Sequence, residues 1–199
     1  MAWNTVCRRR DMEDFIRFTG ISGSLRKDSF NTKLLHNVAA LLPENVAFNI
    51  VSIADLPLYN ADLDLPETTE RPAAVVAFRN ELAKADGLVI VSPEYNYSIP
   101  GGLKNAIDWA SRGEDAPLMG KPVALMGATT GPWGTVRMQM QFLNLFLYLD
   151  MKPVFKPEVL VAGADKKFNG DGKLTDETAI GLIRKKLQGL KQLILQQRK

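Results

Sequence analysis

The sequence predicts an α/β fold, an open doubly wound sheet of about five parallel strands with helices on both faces. Three observations carry this. Strand-type and helix-type runs alternate along the chain without repeats or low-complexity segments. Two short runs, Gly87 to Val91 and Pro122 to Met126, are apolar on both faces, as parallel strands covered by helices on both sides must be. Three loops rich in glycine and small polar residues each fall between a strand-type run and a helical pattern, the position at which open α/β sheets bind ligands.

The first strand is read at Ile16 to Ser22, a β-type run ending in small polar residues. A helix follows from Asn31, where Leu34, Leu35, Val38, Leu41 and Leu42 recur at helical spacing until Pro43 stops them. Val46 to Ile53 alternates as a second strand. Asp55 to Pro72 is a long, proline-punctuated connection of the kind that often carries function. Helices are then expected at about 73–85 and from Leu103, whose stripe is Leu103, Ala106, Ile107 and Ala110. The helix at about 135–149 differs, because Val136, Met138, Met140, Phe142, Leu143, Leu145, Phe146, Leu147 and Leu149 surround most of its circumference. Either it is central to the domain or a second copy of the chain covers it, and a homodimer or homotetramer through it is expected. The fifth strand is placed near 157–161, and a last helix, capped by Thr175 or Asp176, carries Ile180, Ile183, Leu187, Leu190 and Ile194 on one face.

Composition fits a single domain spanning 16–199. The chain has 199 residues, 46% of them apolar, and a formal net charge of only +3. Basic residues do not cluster beyond Arg8 to Arg10, so neither nucleic-acid nor membrane binding is expected. No apolar run approaches the ~20 residues of a membrane span. Residues 1–15 are expected to be a mobile extension, since no apolar core follows their arginines as it would in a secretory peptide. The lone Cys7 excludes an intramolecular disulfide and points to the reducing cytoplasm.

The three loops divide a ligand's chemistry between them. Loop one, Gly20 to Asn31, offers glycines, hydroxyls at Ser22, Ser24 and Ser29, a guanidinium at Arg26 and an amide at Asn31 ahead of a helix, the groups that phosphate recognition needs. It equally suits a Ser- or Asn-capped helix behind a glycine turn. It has neither the Gly-Lys-Ser/Thr of a Walker loop nor a G-x-G-x-x-G fingerprint. Loop two, Ser92 to Gly102, is stiffened by Pro93 and Pro100 and is rich in aromatic and amide groups, suited to something flat and polar. Loop three, Gly127 to Thr135, adds glycines and threonine hydroxyls beside Trp133.

Gly-Ser-Leu-Arg-Lys-Asp-Ser-Phe-Asn at 23–31, Pro-Glu-Tyr-Asn-Tyr-Ser-Ile-Pro-Gly-Gly-Leu-Lys-Asn-Ala-Ile-Asp-Trp at 93–109 and the Thr-Thr-Gly loop resemble the NADPH-dependent FMN reductase family. The resemblance runs from about Ile16 to Ile194. It implies a flavodoxin-like fold with strand order 2-1-3-4-5, bound FMN, and a quinone, chromate or azo reductase driven by NADPH or NADH. By resemblance, Ser24, Arg26, Ser29, Phe30 and Asn31 hold the FMN phosphate. Pro93, Glu94, Tyr95, Asn96, Tyr97 and Ser98 line the isoalloxazine ring, and Thr129, Thr130 and Gly131 close its far side. No side chain is nominated as catalytic, because the cofactor carries the hydride chemistry in two half-reactions, giving ping-pong kinetics. The rival expectation is a flavodoxin-like electron carrier without nicotinamide-dependent activity, disfavoured by the slightly basic charge.

Other candidates are weaker. His36, the only histidine, reads as an ordinary helix residue, and no metal site is expected. Asp165 to Asp176 faintly resembles a calcium loop, but Lys167 stands at a ligand position. Glu94 is either a carboxylate tuned by the flavin or a partner for Lys or Arg across a subunit contact. Arg137 either attracts anions or is a solvated helix residue.

Overall fold

A computed structural model describes residues 15–198. The expected mobile extension lies outside them except for Phe15. The strands are β1 (Ile16–Ser22), β2 (Val46–Val51), β3 (Gly87–Val91), β4 (Pro122–Ala128), β5 (Lys152–Pro153) and β6 (Leu160–Val161). The helices are α1 (Phe30–Val38), α2 (Ala73–Lys84), α3 (Gly101–Ala110), α4 (Val136–Tyr148) and α5 (Glu177–Gln197). All pairings are parallel, in the order β2-β1-β3-β4-β5, with β6 also on β4. This is the predicted order.

β6 falls within the fifth strand expected near 157–161, and β5 adds a segment not expected at that strand position. The position is filled by these two short segments, β5 against Pro122 and Val123 at the start of β4 and β6 against Gly127 and Ala128 at its end. Pro153 and Pro157 lack the N–H that a continuous ladder needs, so the chain leaves the sheet between them and returns at Val159, whose carbonyl accepts from Gly127 N at 3.2 Å.

Alternation along β3 separates two cores. Val89 and Val91 face α1 and α5 with Phe18, Leu34, Leu35, Met126, Leu187 and Ile194. Leu88 and Ile90 face α2, α3 and α4 with Leu82, Leu103, Phe142 and Phe146. Each such fully buried aliphatic or phenyl side chain contributes about 1.5–3 kcal/mol. The 52–72 connection is pinned down, not loose: Trp109 Nε1 and Asn105 Nδ2 both donate to Pro57 O, at 2.8 and 2.9 Å, and Asn105 Oδ1 accepts from Tyr59 N at 2.7 Å. Farther along, Arg71 lies between Asp64 and Asp115, and Arg79 donates to the carbonyls of Trp109, Arg112 and Asp115. Partial burial pushes the Asp115 carboxyl up, but its hydrogen bonds from Arg71 and Arg79 prevail and hold it below the ordinary carboxylate range.

Asp176, not Thr175, caps α5, accepting from Ala179 N at 2.6 Å. The calcium-like segment before it is a turn in which Asn169 Oδ1 accepts from Asp171 N and Lys173 N. No cluster of metal-ligating side chains exists among the described residues.

Lys186 is an anomaly on the inner face of α5: it is buried and its Nζ donates to Pro157 O at 3.0 Å. Burial pushes its pKa down from 10.5 to about 8, with nearby Glu158 opposing and Lys156 assisting. At pH values below this folded pKa both states hold the proton and the cost of the buried ammonium is fully present. Between pH 8 and 10.5 only the unfolded chain keeps it, so stability rises with pH. Lys186→Met is therefore expected to be more stable at neutral pH by about 1–3 kcal/mol in urea melts, the lost hydrogen bond offsetting part of the gain. The difference should shrink as pH approaches 10.5.

Candidate functional site

Three of the strands end at one edge of the sheet, β1 in loop one, β3 in loop two and β4 in loop three. These loops are tied to one another. Gly23 N donates to Val91 O at 2.8 Å, and a Cβ on Gly23 would collide with the Ser92 hydroxyl, so loops one and two pack backbone to backbone. Asn31 joins loop one to β4: its Nδ2 donates to Ala128 O and its Oδ1 accepts from Ala128 N, each at 2.8 Å. Along β4, Gly127 N and Thr129 N point to the β6 side, toward Val159 O and Val161 O, so Ala128 points the other way. There β3 has already ended, at Val91. The Asn31 amide takes the place of the missing β3 peptide.

Loop one winds on itself. Ser29 is the N-cap of α1, its hydroxyl accepting from Asn31 N and Thr32 N. Ser24 is buried and accepts from Arg26 N at 3.3 Å, and Ser22 Oγ lies 2.8 Å from Thr32 Oγ1. Arg26 is exposed, and no acidic residue occupies the first turn of α1. Phe30 turns inward, its ring 5.5 Å from that of Phe168. Of the five residues expected to meet a phosphate, Ser24, Arg26 and Ser29 lie at the loop. Phe30 packs beneath it, and Asn31 supports it with an amide already engaged.

Loop two is a tight turn. Tyr95 and Ser98 form an isolated antiparallel bridge around Asn96 and Tyr97, both left-handed at φ 49° and 63°. Side chains other than glycine pay steric strain of about 1–2 kcal/mol there, and such residues gather at functional sites. Pro93 is buried, while Tyr95, Asn96, Tyr97 and Ser98 are exposed. Glu94 finds its partners within its own chain: its Oε2 accepts from Arg137 N at 2.9 Å and Met138 N at 3.0 Å. It thereby caps α4 from a different loop, because Thr135, in the left-handed region at φ 70°, makes no side-chain cap and its buried hydroxyl has no partner among the described residues. In loop three, Thr129 Oγ1 accepts from Gly131 N at 3.3 Å, and Gly163 N and Ala164 N donate to Gly131 O and Thr129 O. Thr130 and Trp133 face solvent.

The result is an open shelf. A cleft of about 600 Å³ between the end of α1 and α5 has no residue of these loops in its lining.

The profile of the NADPH-dependent FMN reductases matches residues 16–166, through all three loops. The chain belongs to that family. An NAD(P)H-dependent FMN reductase of Pseudomonas aeruginosa is 42% identical over 179 residues, spanning 90% of this chain and 95% of its own. A quinone reductase of Escherichia coli K12 is 43% identical over 150 residues, 75% of this chain and 79% of its own. The solved structure of a flavoenzyme NAD(P)H:(acceptor) oxidoreductase from Paracoccus denitrificans superposes with a TM-score of 0.79 at 32% identity, over 91% of this chain and 98% of its own. This FMN reductase is thus a flavin-dependent oxidoreductase of flavodoxin-like fold, as its motifs imply.

The residues present fit FMN. A phosphate needs a cation and hydroxyls near a helix N-terminus, which Arg26, Ser24 and Ser29 supply at α1. The ring edge needs backbone groups, and a flat face needs room. Loop two exposes its turn, and a Cβ on Gly101 would meet nothing within 4 Å. Sequence reasoning missed Asn105 and Trp109 as the posts for the 52–60 segment. Their i, i+4 spacing on α3 could have revealed it.

Proposed function

We propose that the shelf binds FMN with its phosphate at Ser24, Arg26, Ser29 and the start of α1, and its ring along Pro93 to Ser98 and Thr129 to Gly131, and that NAD(P)H and a quinone use the open face in turn. The joining of loops from three neighbouring strand ends through Gly23 and Asn31 carries this reading. Bound FMN would supply the hydride-accepting and hydride-donating chemistry. The chain's own residues bind, orient and leave one face accessible. Arg26 contributes charge where the phosphate sits, and the turn at Asn96 and Tyr97 presents peptide groups to the ring edge. The relatives named quinone reductases support a quinone acceptor, with chromate and azo compounds as further candidates to compare. Arg26→Ala is expected to weaken FMN binding by about 1.5–3 kcal/mol, the range for hydrogen bonds to a charged group. Flavin titration of the apoprotein measures it, and unchanged affinity would remove Arg26 from the site.

The assembly is a homodimer or homotetramer through α4. Met138, Phe142 and Phe146 face the sheet, but Met140, Leu143, Leu147 and Tyr148 remain exposed, with Phe155 beside them. A second copy offers the same surface in return, as a two-fold contact requires. Light scattering of Leu147→Glu should report a smaller species than the parent at micromolar concentration. No described helix is long and apolar enough to cross a membrane. A cytoplasmic setting accords with the single cysteine.

A further inference from the structure

Arg137 stands where loops two and three meet. Its guanidinium lies 4.0 Å from the centre of the Tyr97 ring and 5.3 Å from that of Trp133. Both rings are well exposed, Tyr97 at 66% and Trp133 at 61%. The side chain is about one third exposed, and its one protein acceptor among the described residues is Glu94 Oε1, at a long 3.4 Å from Nη1. Glu94 is committed elsewhere, since Oε2 caps α4 through two backbone N–H groups. Arg137 therefore keeps most of its five N–H donors unused, in a planar fork close to two aromatic rings. The carboxylate behind it fixes its place without consuming its outward edge.

A planar fork with free donors suits an oxyanion, and flanking aromatic rings suit a flat apolar body, so the two together select a ligand that is both. A tetrahedral phosphate would use the fork but not the rings. A neutral quinone would use the rings but not the fork. We propose that Arg137 makes this reductase selective for flat anionic acceptors, quinones that carry an ionised oxygen or a ring acid, by meeting that charge at the rim of the site. The inference rests on the reading of loops two and three as the flavin-ring site.

The test compares a naphthoquinone with the same naphthoquinone bearing a ring sulfonate, in the holoenzyme and in Arg137→Met and Arg137→Lys. The readout is the ratio of kcat/KM for the sulfonated to the parent quinone, so that any general loss cancels. Arg137→Met should lower this ratio about tenfold or more, and Arg137→Lys should restore much of it. Binding without any electron donor gives a second readout: the sulfonated quinone, titrated against tryptophan fluorescence, should bind about tenfold more weakly to Arg137→Met. A ratio and an affinity both within twofold of the parent would overturn the proposal. So would a change confined to the KM for NADPH, which would give the charge to the donor's phosphate. If the parent protein reduced neither quinone, the reductase reading would fall, while the fluorescence titration would still decide whether Arg137 binds the anion.

Discussion

Asn31→Ala should cost roughly 2–6 kcal/mol of stability, because it strands two backbone groups of Ala128 in a buried site, at about 1–3 kcal/mol each. Ala128 and Asn31 are 2% and 3% exposed, so bulk water does not reach the pair. Against a total of about 5–15 kcal/mol for a domain, this is a large fraction. Urea unfolding measures it. Flavin content should fall in the same variant, since loop one loses its tie to β4 without losing Arg26 or Ser24. Asn31→Asp would keep an acceptor for Ala128 N but turn a second oxygen toward Ala128 O, so it should recover little.

Gly127→Ala is the second large effect. A Cβ there would overlap the Thr135 hydroxyl and lie 2.6 Å from Ser92 O, which is backbone and cannot rotate away. The cost should fall at the top of the ~1–3 kcal/mol range for overpacking, since the displaced atoms belong to the roots of loops two and three. The thermal midpoint should drop by several degrees, and bound flavin should fall with it. A parent-like midpoint would show that β4 can shift without disturbing the two loops.

Much of this was legible in the chain because its signals are local. The apolar runs of β3 and β4, the stripe of α3 and the cap of α5 each follow from a few neighbouring residues, and their order along the chain implies a parallel sheet. The site was legible as three loops for the same reason. What escaped depends on contacts between distant segments. Asn31 reads as a phosphate ligand beside Ser29, yet its partner is 97 residues away. Glu94 and Arg137, 43 residues apart, each allowed two readings, and the folded chain joins them through the N-terminus of α4. The fifth strand was read only in part: β6 lies within the expected 157–161, but Pro153 and Pro157 divide the strand position, and the run at 157–161 gives no hint of the partner segment at 152–153.

The central claim is that this chain takes electrons from a nicotinamide onto FMN and passes them to a separate acceptor. Anaerobic mixing of the purified, flavin-loaded protein with NADPH or NADH, followed at the flavin absorbance band, tests it most directly. The band should bleach without any acceptor present and return when a quinone is added in a second mix. A band that stays unchanged with both donors would contradict the account.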